Sequence, residues 1–460
     1  MGTASSSAVV AAIGLGANEG DREAQLAAAL RGLERTAGIV VLRRSQWIET
    51  DPVGGPPGQS RYLNGAALIE TRIPAEALLA ELIRIERKLG RRRSAGERNG
   101  PRVIDLDLLM YGASELSSPT LTVPHPRMTE RRFVLEPLAE LCPTDVIPGT
   151  SRTVSECLLD LDRRPAMVEL ASPELARAWC DQQRAAGHSI GFIPTMGALH
   201  EGHLELVRRA ARETDRVCVS IFVNPLQFNK PEDLAAYARD FQGDARQVEG
   251  AGCAMVFTGT LAQFFPGSSD DGVLPDDARV DPGAGARGLE GEHRPGHLEG
   301  VATIVDRLFE VVRPERAYFG RKDYQQTLVV SDLASRHAGL SVVVCPTTRE
   351  SNGLALSSRN RRLSDAGRTQ ALAIPRALAA ARLAWENGER EPGALRGSML
   401  EVLTPSGLEI EYAEVRDPEC WTGSPPTGAL SQAVALIAAV ADGVRLIDNH
   451  NLSEDLPVVP

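Results

Sequence analysis

The sequence contains no CxxC pair, no apolar run long enough to span a bilayer and no excess of basic residues. Each absence excludes a class of protein. The seven cysteines, at positions 142, 157, 180, 218, 253, 345 and 420, are odd in number. They fit neither a zinc site nor a disulfide framework and match reduced thiols in a cytoplasm. The longest apolar run, Ala433 to Ala441, is far short of the roughly 20 residues of a membrane-spanning helix. A formal net charge of −11 argues against a nucleic-acid partner, which selects a basic face. The opening MGTASSSAVVAAIGLG places no basic residue ahead of its apolar stretch, so no secretory leader is expected. What is present is 43% hydrophobic and 24% charged residues over 460 positions. That is the composition of a soluble globular protein, about three domains long at roughly 150 residues each.

Helix and strand patterns alternate throughout, which predicts α/β or α+β architecture. Leu78, Leu79, Leu82, Ile85 and Leu89 fall at a helical period within 72–89, and VIDLDLLMY (103–111) reads as a core strand. A Pro- and Gly-rich stretch from Cys142 and the charged Asp162-Arg163-Arg164-Pro165 follow. Pro165 disfavours helix at the residue before it, which puts a domain boundary at about 163–166. Beyond it, SIGFIP (189–194) reads as a buried strand, then come a turn, a helix from about His203 to Thr214 and a second strand from Arg216 to Val223. That order suits a doubly wound parallel sheet, whose ligands bind at the carboxyl ends of its strands. The Gly-, Asp- and Pro-rich segment Ser268 to Gly288 is expected to be a mobile lid-like loop. A smaller module is expected from about Arg349. The expected domains are therefore 1–164, 165–348 and 349–460.

In the first of these, Gly14-Leu15-Gly16-Ala17-Asn18-Glu19-Gly20 fails the dinucleotide fingerprint, because its third glycine comes one residue late and no acidic residue follows at the required distance. A glycine-rich strand-to-helix turn accounts for it. Asp105 and Asp107 are more informative. On a strand their side chains share a face about 6.6 Å apart, at ~3.3 Å per residue, while Ile104, Leu106 and Leu108 face the core. Two carboxylates so placed are either solvated surface residues or a site for a hard cation such as Mg²⁺. Eight Arg or Lys residues lie between Arg84 and Arg102, and a basic cluster beside a carboxylate pair is what polyphosphate binding needs.

With GLGANEGDRE, TDPVGG, YLNGA, GPRVIDLDLLMYG and LTVPHPRMTERRFVLEPL, residues 8–162 resemble 6-hydroxymethyl-7,8-dihydropterin pyrophosphokinases. The resemblance implies an α+β ferredoxin-like fold and transfer of an intact pyrophosphoryl group from ATP to the pterin's hydroxymethyl oxygen. It further implies Mg²⁺ on Asp105 and Asp107. Arg91 or Arg92, Arg102, His125 and Arg131 would grip phosphates, with Glu86 near the nucleotide. Thr50, Val53, Tyr62, Asn64 and Phe133 would line the pterin site. Asn99 stands where the family carries Trp, and Ala17 where it carries Ser.

Downstream, His200-Glu201-Gly202-His203 lacks the i,i+4 spacing of a zinc helix. A histidine pair at a helix N-terminus beside glycine is instead an anion site. Gly320-Arg321-Lys322-Asp323 and Ser357-Ser358-Arg359-Asn360 add a lysine, hydroxyls and a guanidinium in the order of adenylate-forming nucleotidyltransferases. With PTMGALHEGHLELV, FVNPLQF, LEGEHRPGHLEGVATIV, FGRKDYQQ, LALSSRN and RLIDN, residues 167–453 are similar to pantothenate synthetases (pantoate–β-alanine ligases). That implies an α/β Rossmann-like nucleotidyltransferase domain followed by a smaller α/β subdomain, and pantothenate made through pantoyl adenylate. His200 and His203 would stabilise the α-phosphate. Lys322, Ser357, Ser358 and Arg359 would hold the other phosphates, and Met196, Gly320 and Asp323 would contact the nucleotide. Asn224, Gln227, His297 and Gln326 would bind pantoate, and Asp244, with Gln247, would sit near Mg²⁺. Arg321 stands where the family carries Glu, Ala238 breaks the family's YPR, and Leu356 replaces Met.

The expectation is a cytoplasmic bifunctional enzyme using ATP and Mg²⁺ on hydroxymethyl-dihydropterin, pantoate and β-alanine, with no nucleic-acid or membrane partner. By the same resemblance it forms a homodimer through its C-terminal part. The alternatives are that one domain serves only as a binding module, or that the chain is an RNA-charging enzyme sharing the HxGH logic.

Overall fold

A computed structural model describes residues 8–50, 59–91, 101–118, 120–163, 166–228, 231–235, 237–269, 273–275 and 277–454. Val53, Arg92, Asn99 and the boundary residue Pro165 lie outside the described residues. Contacts divide the chain into two units, Met1–Ala166 and Met167–Pro460.

The first unit is built on an antiparallel sheet. Its elements run β1 (Val9–Ala17), α1 (Arg22–Glu34), β2 (Ile39–Arg44), β3 (Ile48–Thr50), β4 (Tyr62–Thr71), α2 (Ala75–Lys88) and β5 (Asp105–Tyr111). The strand order is β2-β4-β1-β5, with β3 beside β4. Two small hairpins, β6 (Leu116–Ser117) with β7 (Thr122–Val123) and β8 (Val146–Ile147) with β9 (Arg152–Thr153), flank α3 (Arg132–Leu141), and α4 (Val154–Arg163) closes the unit. Alternation along β1 sorts the two faces. Ala11, Ile13 and Leu15 pack with Leu26 and Leu33 of α1 and Leu78, Leu82 and Ile85 of α2. Ala12 packs with Leu135 and Leu138 of α3 on the other face.

Gly14 and Gly16, expected in a turn, lie inside β1 opposite Asp107 and Asp105. The strand needs them small: a Cβ on Gly16 would come within 2.7 Å of Asn64 Oδ1, and one on Gly14 within 3.3 Å of Leu109. The turn proper is at Gly20, whose φ is +65°.

The second unit begins with β10 (Val168–Leu170), α5 (Pro173–Ala185), β11 (Ile190–Thr195), α6 (Glu201–Glu213) and β12 (Arg216–Ile221). Then follow α7 (Pro231–Ala235), α8 (Phe241–Gly250), β13 (Met255–Phe257), α9 (Leu261–Phe264), α10 (Glu290–His293), α11 (His297–Val312), β14 (Arg316–Gly320), α12 (Tyr324–Ala334) and β15 (Ser341–Cys345). The six strands make a parallel sheet in the order β10-β13-β12-β11-β14-β15. Both faces are covered, Phe192 and Cys218 packing with α11 and α12 and Val217 and Val219 with α6 and α8. That is why SIGFIP is apolar without alternation. The chain steps outward from β11 through β12 to β13, then returns to β11's other side at β14. The switch point between β11 and β14 opens a crevice at their carboxyl ends.

Helices α13 (Asp365–Ala371), α14 (Ala373–Glu386) and α15 (Pro392–Leu403) lead into an antiparallel sheet of β16 (Glu409–Arg416), β17 (Val434–Ala441) and β18 (Val444–Asn451). The longest apolar run of the sequence is the central strand of this sheet. Ala435, Ile437 and Ala439 face the α14–α15 core, while Val434, Leu436 and Ala438 pack with Tyr412 and Leu289. Among the described residues no helix is long and apolar enough to cross a membrane.

The 268–288 segment differs from expectation where it is described. Leu274 is buried, Val280 N–H donates to Thr303 Oγ1 at 3.1 Å, and Trp421 and Gln325 both donate to Arg287 O. Fastening of this kind holds the segment to α11 and α12 rather than leaving it as a free lid.

Candidate active sites

In the first unit, the register Gly16↔Asp105 and Gly14↔Asp107 sets both carboxylates on one face of β5, while Ile104, Leu106 and Leu108 are buried on the other. Asp105 is flanked by guanidinium groups, Oδ1 taking Arg91 and Oδ2 taking Arg102. Arg91 also pairs with Glu86, a residue 1% exposed whose Oε1 accepts from Leu106 N–H at 2.8 Å. Burial would raise the Asp105 carboxyl, but Arg102 and Arg91 outweigh it and hold it below the usual carboxylate range. Asp107 is pushed up by burial and by the Asp105 charge.

Of the other expected residues, Arg131, His125 and Tyr62 lie within electrostatic reach of this pair. Arg131 stacks its guanidinium 5.4 Å from the Phe133 ring centre and is pushed down to about 10 by burial and by Arg127. His125 falls to about 4 for the same two kinds of reason, burial first and then Arg131 and Arg127. Its Nδ1 accepts from Arg127 N–H at 3.3 Å, which leaves Nε2–H as the donor of the neutral ring. Asn64 donates to Thr50 Oγ1 at 2.8 Å, and burial raises the phenol of Tyr62, which lies near Arg102 and Asp105. Asn18 was not anticipated. It is 3% exposed, its Oδ1 accepts from Arg102 N–H at 2.6 Å and its N–H donates to Arg102 O at 3.0 Å. It thereby ties the arginine to the end of β1. The only signal for it was a polar residue closing an apolar strand.

In the second unit, α6 starts at Glu201, two residues before the expected start, and His200 is its N-cap. His200 Nδ1 accepts from Gly202 N–H at 3.2 Å and His203 Nδ1 accepts from His200 N–H at 3.3 Å. Both rings therefore carry the proton of their neutral form on Nε2, with centroids 4.1 Å apart. Burial, then His203 and Lys322, push His200 down to about 2; burial pushes His203 down to about 4. Both rings are neutral at pH 7. The turn before them is strained, with φ of +81° at Gly197 and +51° at Ala198. Asp244, 3% exposed, clamps it: Oδ2 accepts from Ala198 N–H at 2.8 Å and Oδ1 from Leu199 N–H at 2.9 Å. The carboxylate expected beside a metal thus has both oxygens engaged by backbone. Gln247, expected near it, donates weakly to Gly243 O within α8 at 3.4 Å.

Lys322 and Asp323 leave the neighbouring strand β14 after Gly320, with their charged groups 3.8 Å apart. They line one cavity with His297, Gln326, Asp448 and Asn449. Asn224, 1% exposed, donates to Gln227 Oε1 at 3.1 Å. His297 stands 2.9 Å from Gln227 O through Nδ1 and 2.9 Å from Arg294 through Nε2. Since arginine only donates, Nε2 accepts and Nδ1 carries the proton. Ser357 caps the short 3₁₀ turn Ser358–Arg362 by accepting from Arg359 N–H. Met196 is half-buried in the strained turn.

A parallel sheet whose switch point sets a histidine-capped helix beside a lysine loop defines a Rossmann-like nucleotidyltransferase. Residues 170–451 match the pantoate-beta-alanine ligase family, to which the chain belongs, and residues 12–143 match 7,8-dihydro-6-hydroxymethylpterin-pyrophosphokinase. A pantothenate synthetase of Rubrobacter xylanophilus is 45% identical over 281 residues, covering 61% of this chain and 95% of that protein. A bifunctional pantoate ligase/cytidylate kinase of Synechococcus elongatus is 41% identical over 64% of this chain and 54% of its own. The crystal structure of pantothenate synthetase from Thermus thermophilus superposes with a TM-score of 0.57 at 37% identity, covering 63% of this chain and all of that one. The chain therefore joins a pyrophosphokinase domain to a pantoate ligase domain, both of ATP-using families.

Proposed function

We propose that both domains are catalytic, the first on hydroxymethyl-dihydropterin and the second on pantoate and β-alanine. The observation that carries this is that each unit gathers its phosphate-facing groups at one place: Asp105, Asp107, Arg91, Arg102, His125 and Arg131 in the first, His200, His203 and Lys322 in the second. In the first unit, whose β1-α1-β2-β4-α2-β5 succession, with the short β3 added beside β4, supports the ferredoxin-like reading, the pterin hydroxymethyl oxygen attacks the β-phosphorus of ATP and AMP leaves. The arginines and His125 collect phosphate charge, and Asn64, Thr50, Tyr62 and Phe133 hold the pterin. The raised Asp107 carboxyl and its proximity to Asp105 are the chemistry of a cation site. Mg²⁺ held there would neutralise phosphate charge.

In the second unit, a pantoate carboxylate oxygen attacks the α-phosphorus, pyrophosphate leaves, and the amine of β-alanine then displaces AMP from the acyl carbon. The two Nε2–H groups donate to the α-phosphate as its charge develops. Lys322, Ser357, Ser358 and Arg359 hold the leaving pyrophosphate, with Met196, Gly320 and Asp323 against the nucleotide. Asn224, Gln227, His297 and Gln326 orient pantoate. Such preorganised donors are worth about 3–4 kcal/mol each. Asp244 we assign to the turn rather than to a metal. We further propose domain limits of 1–164, 165–348 and 349–460, a cytoplasmic location and a homodimer formed through the C-terminal part.

A mass-spectrometric assay with Mg²⁺, ATP and all three acceptors tests the reading. Both pterin pyrophosphate and pantothenate should accumulate. Replacing Asp105 and Asp107 with alanine should abolish only the first, and replacing His200 and Lys322 only the second. Formation of a single product by the unaltered chain would leave the silent domain as a binding module, and stimulation of AMP release by RNA would favour the RNA-charging alternative.

A further inference from the structure

Two adjacent residues near the end of β18, Asp448 and Asn449, are each 3% exposed and line the ligase cavity. The Asn449 side-chain amide donates to Arg321 O and to Lys322 O, both at 2.9 Å. The backbone on both sides of the Lys322 side chain is thereby gripped from the small sheet. Two carbonyls can be met only by the NH₂ end, so the orientation of the amide is determined. Its Oδ1 is left buried with no partner among the described residues. That cost is retained in a cavity wall, where a spare acceptor contributes nothing to folding.

Asp448 faces the other loop. Its carboxylate takes Arg349 in a fork, at 2.6 and 3.0 Å, and accepts from Asn449 N–H at 2.8 Å. Arg349 in turn donates to Gly353 O at 3.0 Å and bridges to Ala355, which shapes the hairpin that delivers Ser357, Ser358 and Arg359. One dipeptide therefore sets the spacing between the lysine loop and the serine–arginine loop.

We propose that Asp448 and Asn449 are positioning residues for adenylate formation, with Asn449 acting through Lys322. This rests on the assignment of Lys322 to the nucleotide phosphates. Placement errors of about 1 Å cost on the order of 100-fold in rate, so loss of the grip should appear in turnover more than in substrate affinity.

The test is pantoate-dependent ATP–pyrophosphate exchange in the full-length protein carrying Asn449→Ala, Lys322→Ala, or both. Asn449→Ser, which keeps one donor, is measured beside them in case the alanine variant does not fold. Pterin pyrophosphorylation by the same chain serves as the internal standard. Asn449→Ala is expected to lower kcat for exchange tenfold or more with a smaller change in KM for ATP, and Asn449→Ser to fall between. In the Lys322→Ala background, Asn449→Ala should cause little further loss. A full multiplicative loss in the double variant, or unchanged exchange in Asn449→Ser and Asn449→Ala, overturns the proposal. An unimpaired Lys322→Ala would instead overturn the role given to the lysine, and the inference with it.

Discussion

Arginine at 321 places a like charge beside Lys322, and sequence neighbours alone suggest repulsion. In the fold its guanidinium pairs with Glu454, and its backbone N–H donates to Cys345 O at 2.8 Å. Its charge is absorbed away from the lysine. Arg321→Glu should therefore lower stability by about 1 kcal/mol, the scale of a partly exposed pair. Arg321→Glu with Glu454→Arg should restore most of it; thermal unfolding of the three proteins checks this, and no recovery in the swap would sink the pairing. The histidines allow a second separation. Glutamine can place a donor where Nε2 stands, while asparagine reaches only to Nδ1. His203→Gln should retain more pantoate-dependent exchange than His203→Asn, by roughly 10-fold, since an oriented donor to a developing anion is worth a few kcal/mol. A smaller loss in His203→Asn than in His203→Gln would mean that capping of α6 through Nδ1, not donation, is what the ring supplies.

Within elements, local strain and burial decide what a motif becomes. The turn from Met196 to Leu199 holds Ala198 at φ +51°, a conformation costly for a residue with a Cβ. Asp244, on α8, is what keeps it there. Asp244→Ala leaves the Ala198 and Leu199 N–H groups without an acceptor, at about 1–3 kcal/mol for each buried donor. The expected result is a lower unfolding temperature and at least tenfold slower adenylate formation, with pterin pyrophosphorylation unchanged. Wild-type exchange in this variant would remove the link between the clamp and the histidines. Glycine has a comparable meaning in β1, where Gly16 leaves room for Asn64. Read along the chain, GLGANEG looked like a turn, because the neighbour requiring its smallness comes 48 positions later, at the register partner Gly16↔Asn64.

At the scale of the whole chain, neutral buried histidines tie stability to pH. His125, His203 and His297 titrate near 4 in the fold, against about 6.5 when unfolded. Between those values the unfolded chain binds more protons, so stability is present above about pH 6.5 and falls as pH drops towards 4. Each ring contributes up to about 1.4 kcal/mol per pH unit. Calorimetry of the full chain from pH 7 to 5 should show a falling unfolding temperature, less steep in His203→Gln. A flat profile would show that these rings are not buried neutral.

The sequence by itself determined the two families and the alternation of helices and strands, and it named most of the residues proposed to face phosphate. Motif spacing is local, and a helix start, a strand face or a glycine-rich loop can be read from a few neighbours. Tertiary structure alone decided that Asp244 clamps a turn, that Asn18 ties Arg102, that Glu454 absorbs Arg321 and that Asp448 and Asn449 join two loops. In each case the partner comes from a distant part of the chain, and a carboxylate or amide looks the same in sequence whether it will meet a ligand or a backbone. Burial and hydrogen-bond geometry, which exist only after folding, separate those fates.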